Sequence, residues 1–294
     1  MVLVHGALAD GRIWQPVAER LAPHFQVHAF TQRYFGPAQM LGAPPLTPAF
    51  GYETHARDLQ ALLHALAQRH GTPAHVLGWS YGADVSLLAA TMDGAPPLRS
   101  LVLYEPGRHQ HLSDPGHLQR YAEDAARLFG PLFGAVQRGE PLARCVELLV
   151  DGSGAQVGCF AAQPPWIRQI ELDNAATLPH QLQQPASREV TRTDLQRLAC
   201  PVVLGRGART SALFAVATDG LAQALPQARH DVLDGAGHLL PLEQPQRFAG
   251  WVQAGIAAVA AGVLAPASVW SPAKAPATCW PATCWPRCVR AGPA

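Results

Sequence analysis

The stretch GWSYG, residues 78–82, holds Ser80 between two glycines, and a serine so placed can serve as a nucleophile when the chain turns sharply around it. A serine hydroxyl attacks poorly unless a base takes its proton. The chain offers 13 histidines, and the best placed is His238, in the Gly-rich stretch DGAGHLLPLEQP after the last β-like run. Serine, histidine and a carboxylate that fixes the imidazole tautomer together make a relay for acyl transfer.

Positioning such a relay needs a strand before Ser80 and a helix after it. AHVLGW is β-like and YGADVSLLAATM reads as a helix, so the context is present. The turn between them is tight enough to require small neighbours, and Gly78, Gly82 and Ala83 meet that need. Such a turn lifts the hydroxyl to the carboxyl end of the sheet. The backbone N–H of Tyr81, at the helix N-terminus, then faces any oxyanion that forms.

The same alternation runs through most of the chain. Val2 to Val4 is a short strand, and Trp14, Val17 and Leu21 follow at helical spacing. QVHAF predicts the next strand, a Pro- and Gly-rich loop covers 36–51, and Leu59, Leu62, Leu63 and Leu66 form one apolar helical stripe. After Ser80 come LRSLVLYEP, PVVLG and ARHDVLD as strands. One-sided apolar runs in this order predict an α/β fold, a mostly parallel sheet with helices on both faces. Over 107–198 no strand interrupts segments such as HLQRYAEDAARLF and WIRQIELDNAATL, which predicts a helical cap between core segments 1–106 and 199–264. Residues 265–294 repeat PATCW amid prolines and are expected to form a disordered tail.

In three motifs the chain resembles the α/β-hydrolase superfamily, and its cofactor-free serine esterase and haloperoxidase-like members in particular. VLVHG is similar to their first oxyanion segment, GWSYG to their nucleophile elbow, and GAGHLLPLEQP to their histidine loop. The resemblance spans residues 2–245 and implies Ser80 as nucleophile, His238 as base, and Ala7 as the second oxyanion N–H beside Tyr81. Two departures stand out. Members carry an aspartate in a turn after the penultimate strand, where this chain has GART and Thr210. Some relatives place the acid at the end of the strand following the nucleophile helix, which here is Glu105 in LYEP; Asp219, within a predicted helix, is the rival. Members also have two strands before the H-G motif, so the sheet is expected to lack its first two strands and to leave QVHAF with an open edge.

Trp14, Trp79, Tyr104 and Leu239 are candidates to line a substrate pocket, and the aromatic three can equally be core residues. The expected activity is cleavage of a small ester or related acyl substrate through an acyl-enzyme, with lactone, amide, carbon–carbon cleavage and perhydrolysis left open. No metal, nucleotide or organic cofactor is implied. Two other readings remain. EPGRHQHLSDPGH gathers His109, His111, Asp114 and His117 near Glu105, as in a metal-dependent hydrolase, although Pro115 interrupts the spacing such a site requires. The same fold can also serve a non-catalytic ligand-binding protein.

The 22 basic and 21 acidic residues leave a net charge of +1, which provides no electrostatic footprint for nucleic acid or an anionic membrane. A small-molecule substrate is the expected partner, and the oligomeric state is open. MVLVHGALAD lacks the basic segment and apolar run of a secretion signal, so the cytoplasm is the expected compartment. The apolar AGIAAVAAGVL is shorter than the roughly 20 residues of a membrane span. The six cysteines form no C-x-x-C pair, and reduced thiols are expected.

Overall fold

The computed structural model describes residues 1–37 and 46–262, and the backbone of Ser268–Trp270. Residues 38–45 of the Pro- and Gly-rich loop, 263–264 at the end of the expected core, and 265–267 and 271–294 of the expected tail lie outside the described residues.

Strands β1 (Val2–Val4), β2 (His28–Phe30), β3 (Ala74–Trp79), β4 (Leu98–Tyr104), β5 (Val202–Gly207), β6 (Arg229–Leu233) and β7 (Ser268–Trp270) form one sheet in the order β2-β1-β3-β4-β5-β6-β7. Every pairing is parallel. β2 forms one edge, with no strand beyond it among the described residues. At the other edge the backbone of β7 pairs with β6, so three residues of the expected tail add to the sheet.

The alternation of side chains along each strand divides the apolar residues between two cores. Val2 and Val4 face one core with Val76, Leu101, Leu103, Val202 and Leu204. Leu3 faces the other with Leu77, Val102, Val203 and Leu233. Helices α1 (Gln15–Leu21), α2 (Tyr52–His70) and α3 (Tyr81–Thr91) follow the first three strands. The Leu59, Leu63 and Leu66 stripe of α2 and nearly all of α3 pack on the first core, and Trp14, Val17 and Leu21 on the second. Burial of each such side chain contributes roughly 1.5–3 kcal/mol, which is why the helices clothe both faces.

Between β4 and β5 every described element is helical: α4 (Pro115–Gln137), α5 (Leu142–Ser153), α6 (Cys159–Ala162), α7 (Pro165–Asp173), α8 (Leu178–Leu182) and α9 (Arg192–Gln196). Asp114 starts α4 by accepting the His117 N–H at 2.8 Å, with Pro115 in the first turn. Leu132, Ala135, Cys145, Val146 and Leu178 form a small core of this insertion, and Leu8 from the loop after β1 enters it. The sheet resumes with α10 (Ala212–Ala224) after β5, and α11 (Leu240–Glu243) and α12 (Pro245–Ala260) after β6. Among the described residues no helix is long and apolar enough to cross a membrane. Cys145, Cys159 and Cys200 are free thiols.

Candidate active site

The turn from β3 into α3 is built on steric necessity. A Cβ on Gly78 would lie 2.5 Å from the Gly82 carbonyl oxygen, and one on Gly82 would lie 2.3 Å from that of Val4. No side chain fits at either place. Ser80 itself adopts φ 55° and ψ −124°, a conformation that L-residues avoid at a cost of about 1–3 kcal/mol. The surrounding packing imposes it, and the hydroxyl consequently stands clear of the helix.

His238 lies in the loop after β6, with Nε2 3.0 Å from Ser80 Oγ. Its Nδ1 lies 2.7 Å from Glu105 Oε2, so Nδ1–H donates to the carboxylate and the Nε2 lone pair faces the serine hydroxyl. Glu105 follows β4 in a left-handed conformation, φ 48°, and is fully buried. Its Oε1 accepts the Gly207 N–H at 2.7 Å, and its Oε2 also accepts the Thr210 hydroxyl at 2.7 Å. Three donors thus offset the cost of burying this carboxylate. Such an arrangement can accept a proton from Ser80 and stabilise the imidazolium formed. Asp219, the rival acid, is held instead by a bidentate pair with Arg206 at 2.7 and 3.0 Å.

His5 secures the loop after β1. Its Nδ1–H donates to the Gly6 carbonyl at 2.9 Å and its Nε2 accepts the Gln32 N–H at 3.1 Å. Burial pulls its pKa down to about 4, so the ring is neutral and its tautomer defined by these bonds. Gly6 abuts the elbow, with its would-be Cβ 3.3 Å from Ser80 Cβ. Ala7 and Tyr81 line the same cavity as Ser80. The Tyr81 hydroxyl donates to His55 Nδ1 at 2.9 Å, while His55 Nε2–H donates to the Arg33 carbonyl at 3.0 Å.

That cavity encloses about 620 Å³ between the sheet and the helical insertion. Tyr52, Ser80, Tyr81 and Asp84 contribute to one side; Phe129, Phe133, Leu149, Leu178 and Leu182 come from the insertion. The pocket expectations need correction here, because Trp14, Trp79, Tyr104 and Leu239 are absent from this lining. Trp14 is buried in the core between Trp79 and Phe248. Trp79 and Tyr104 hold the histidine loop instead: the indole N–H donates to the His238 carbonyl at 3.0 Å and the phenol to the Gly237 carbonyl at 2.8 Å. Leu239 lines a separate cavity of about 470 Å³ with Cys159, Gln163 and Glu243. An aromatic with a polar tip suits a core site that ends at a loop carbonyl as well as it suits a pocket, and composition does not separate the two.

Three contributors escape sequence reasoning. Phe214 stacks on the His238 ring at 3.7 Å between centroids, from a helix whose sequence carries no motif. Thr210 stands out only as a departure from a family pattern, and Asp84 not at all. The metal alternative fares differently. His109 packs on the Tyr121 ring at 4.5 Å, His111 Nε2–H donates to the Ala217 carbonyl at 2.7 Å, and Asp114 caps α4. Among the described residues no three histidine, cysteine or carboxylate side chains gather as metal ligands, so the His109, His111, Asp114 and His117 cluster is dispersed by its own local bonds.

A doubly clothed parallel sheet with a serine at a strained strand-to-helix turn is the architecture of a hydrolase fold. Residues 1–251 match the model of the alpha/beta hydrolase family, and the chain belongs to that family. Among curated proteins it is similar to the pimeloyl-[acyl-carrier protein] methyl ester esterase of Xanthomonas oryzae pv. oryzae, at 28% identity over 81% of this chain and 87% of the relative. The protein of the same description from Nitrosomonas europaea is 25% identical over 84% of this chain and 92% of its own length. Among solved structures a thermophilic esterase from Thermogutta terrifontis shares the fold, with a TM-score of 0.60 at 22% identity, covering 90% of each chain.

Proposed function

We propose that the protein is a serine hydrolase that cleaves a small carboxylic ester through an acyl-enzyme. The observation that carries this reading is the unbroken line Ser80 Oγ to His238 to Glu105, with steps of 3.0 and 2.7 Å, opening on a largely apolar cavity. The kinship with methyl ester esterases supports an ester over the other acyl substrates.

In this mechanism the Ser80 Oγ–H proton passes to His238 Nε2 as Oγ bonds to the ester carbonyl carbon. The negative charge that develops on the carbonyl oxygen is met by the N–H groups of Ala7 and Tyr81, each such donor contributing about 3 kcal/mol at the transition state. Collapse breaks the bond to the alkoxy oxygen, which leaves as the alcohol with the proton from His238. Water then attacks the acyl carbon, gives a proton to Nε2, and the acid departs as the proton returns to Ser80. Glu105 keeps Nε2 aimed at the serine and balances the imidazolium charge in both halves.

A panel of p-nitrophenyl and methyl esters of increasing acyl length, assayed beside a fluorophosphonate probe, tests the reading. Ester turnover with stoichiometric inactivation and the adduct on Ser80 is expected. Inactivation with Ser80 unmodified, or ester turnover equal in Ser80→Ala, overturns it.

A further inference from the structure

The cavity at Ser80 is chemically lopsided. Among the described residues that line it, Asp84 is the only aspartate or glutamate, and no lysine, arginine or histidine joins it. Asp84 lies in the first turn of α3, its N–H bonded to the carbonyl of the capping Ser80 at 3.2 Å, and both residues line the cavity. The carboxylate is nearly sealed from bulk water, at 4% exposure. Oδ2 accepts the Gly107 N–H at 3.0 Å and Oδ1 the Arg108 N–H at 3.2 Å, leaving lone pairs on both oxygens. The Arg108 guanidinium forms no hydrogen bond with this carboxylate: Nε donates to Gln110, Nη2 to the Arg188 carbonyl, Nη1 is buried without a hydrogen-bond partner, and the planar group lies 4.9 Å from the Tyr52 ring centre.

We infer that Asp84 selects the substrate by charge, so that the ester cleaved at Ser80 carries an ammonium or another hydrogen-bond donor, and esters bearing a free carboxylate are excluded. The inference rests on the serine hydrolase reading. A carboxylate buried to this degree repels a second anion more strongly than an exposed one, because little water screens it. A cation or donor that reaches it supplies the partner that the protein omits. Burial, opposed by the Arg108 charge and the two backbone donors, pushes the Asp84 carboxyl up to about 7, so the group selects as an anion above that pH. The apolar side chains of Phe129, Phe133, Leu149, Leu178 and Leu182 accommodate the rest of the molecule.

Two matched ester series, assayed at about pH 8.5 where the Asp84 carboxyl is ionised and the amine ends still carry a proton, test this. In one, methyl esters of acids of equal length end in ammonium, hydroxyl, methyl or carboxylate; in the other, acetates of alcohols carry the same four ends. The wild type should prefer the ammonium over the carboxylate end by on the order of a hundredfold in kcat/KM in at least one series. Asp84→Asn should bring that ratio to within about threefold of unity, a readout that cancels any general loss of active enzyme. Should Asp84→Asn fail to fold, the wild-type ratio decides the substrate class alone. A ratio near or below one in both series overturns the inference. Ser80→Ala run alongside separates the two ideas: Ser80-dependent turnover without charge preference defeats only the role of Asp84, whereas turnover independent of Ser80 defeats the hydrolase reading.

Discussion

Glu105 and His238 stand 133 residues apart in the chain and meet at 2.7 Å, carboxylate to imidazole. The parallel sheet makes this meeting possible. Loops that follow its strands open on one edge, so residues just past β4 and β6 converge there whatever their separation in sequence.

Glu105→Gln should keep the fold and lower turnover by roughly 10²–10⁴, because an amide does not balance the imidazolium and can present the wrong group to Nδ1. Asp219→Asn is the matched control and should change kcat little, since Asp219 is tied to Arg206. Steady-state kinetics with circular dichroism on both variants decides the matter; near-full activity in Glu105→Gln refutes the assignment.

Thr210→Val removes one of the three donors to Glu105 while leaving Gly207 N–H and His238 in place. A loss of about tenfold in kcat with KM nearly unchanged is expected, since a charge-assisted bond contributes about 1.5–3 kcal/mol and only part of it is felt at the transition state. Thr210→Ser should restore the rate. Equal rates in valine and serine variants would remove the hydroxyl from the account.

Ser80 holds a strained backbone, so chemistry and stability should part company there. Ser80→Ala is expected to cost a factor on the order of 10⁴–10⁶ in turnover. Ser80→Gly should be as inactive yet more stable by about 1 kcal/mol, because glycine adopts φ 55° without the Cβ penalty. Calorimetry that shows Ser80→Gly melting below the wild type would contradict this account of the turn.

Buried His5 and His55 should each cost stability in acid. Burial lowers the pKa of both His5 and His55 to about 4, below the 6.5 expected of an unfolded chain. Between those values the unfolded state binds more protons at these two sites, so the contribution of each neutral histidine is full above pH 6.5 and is lost as pH falls toward 4. The loss amounts to roughly 3 kcal/mol per histidine at most. Asp84 and Glu171, raised by burial to about 7 and about 8, pull the other way over the same range, so the check is a difference. The stability change between pH 6.5 and 4, measured by denaturant unfolding, should be less unfavourable in His55→Gln than in the wild type by up to about 3 kcal/mol.

Much of the architecture is legible in the chain. Short continuous apolar runs in VLV, AHVLGW and LRSLVLY mark buried strands, the leucines from Leu59 to Leu66 mark a helical stripe, and the absence of β-like runs over 107–198 agrees with the helices found there. Gly78 and Gly82 are legible for the same reason, because a turn whose neighbours lie within 2.5 Å of a would-be Cβ tolerates nothing larger. Trp79 and Tyr104 were open to two readings. Whether an amphipathic aromatic faces a pocket or a buried carbonyl depends on what lies across the space, and periodicity does not carry that information.

By itself the sequence determined the order of strands and helices apart from β7, the places where only glycine fits, and the residue types able to act as nucleophile, base and acid, because these follow from local sterics and the chemistry of single side chains. Tertiary structure alone decided that Thr210 donates to Glu105, that Phe214 stacks on His238, and that Asp84 is the one carboxyl group among the described residues lining the cavity. Each of those facts depends on the distance between segments remote in the chain, and such distances are set by packing across the sheet and beneath the helical insertion.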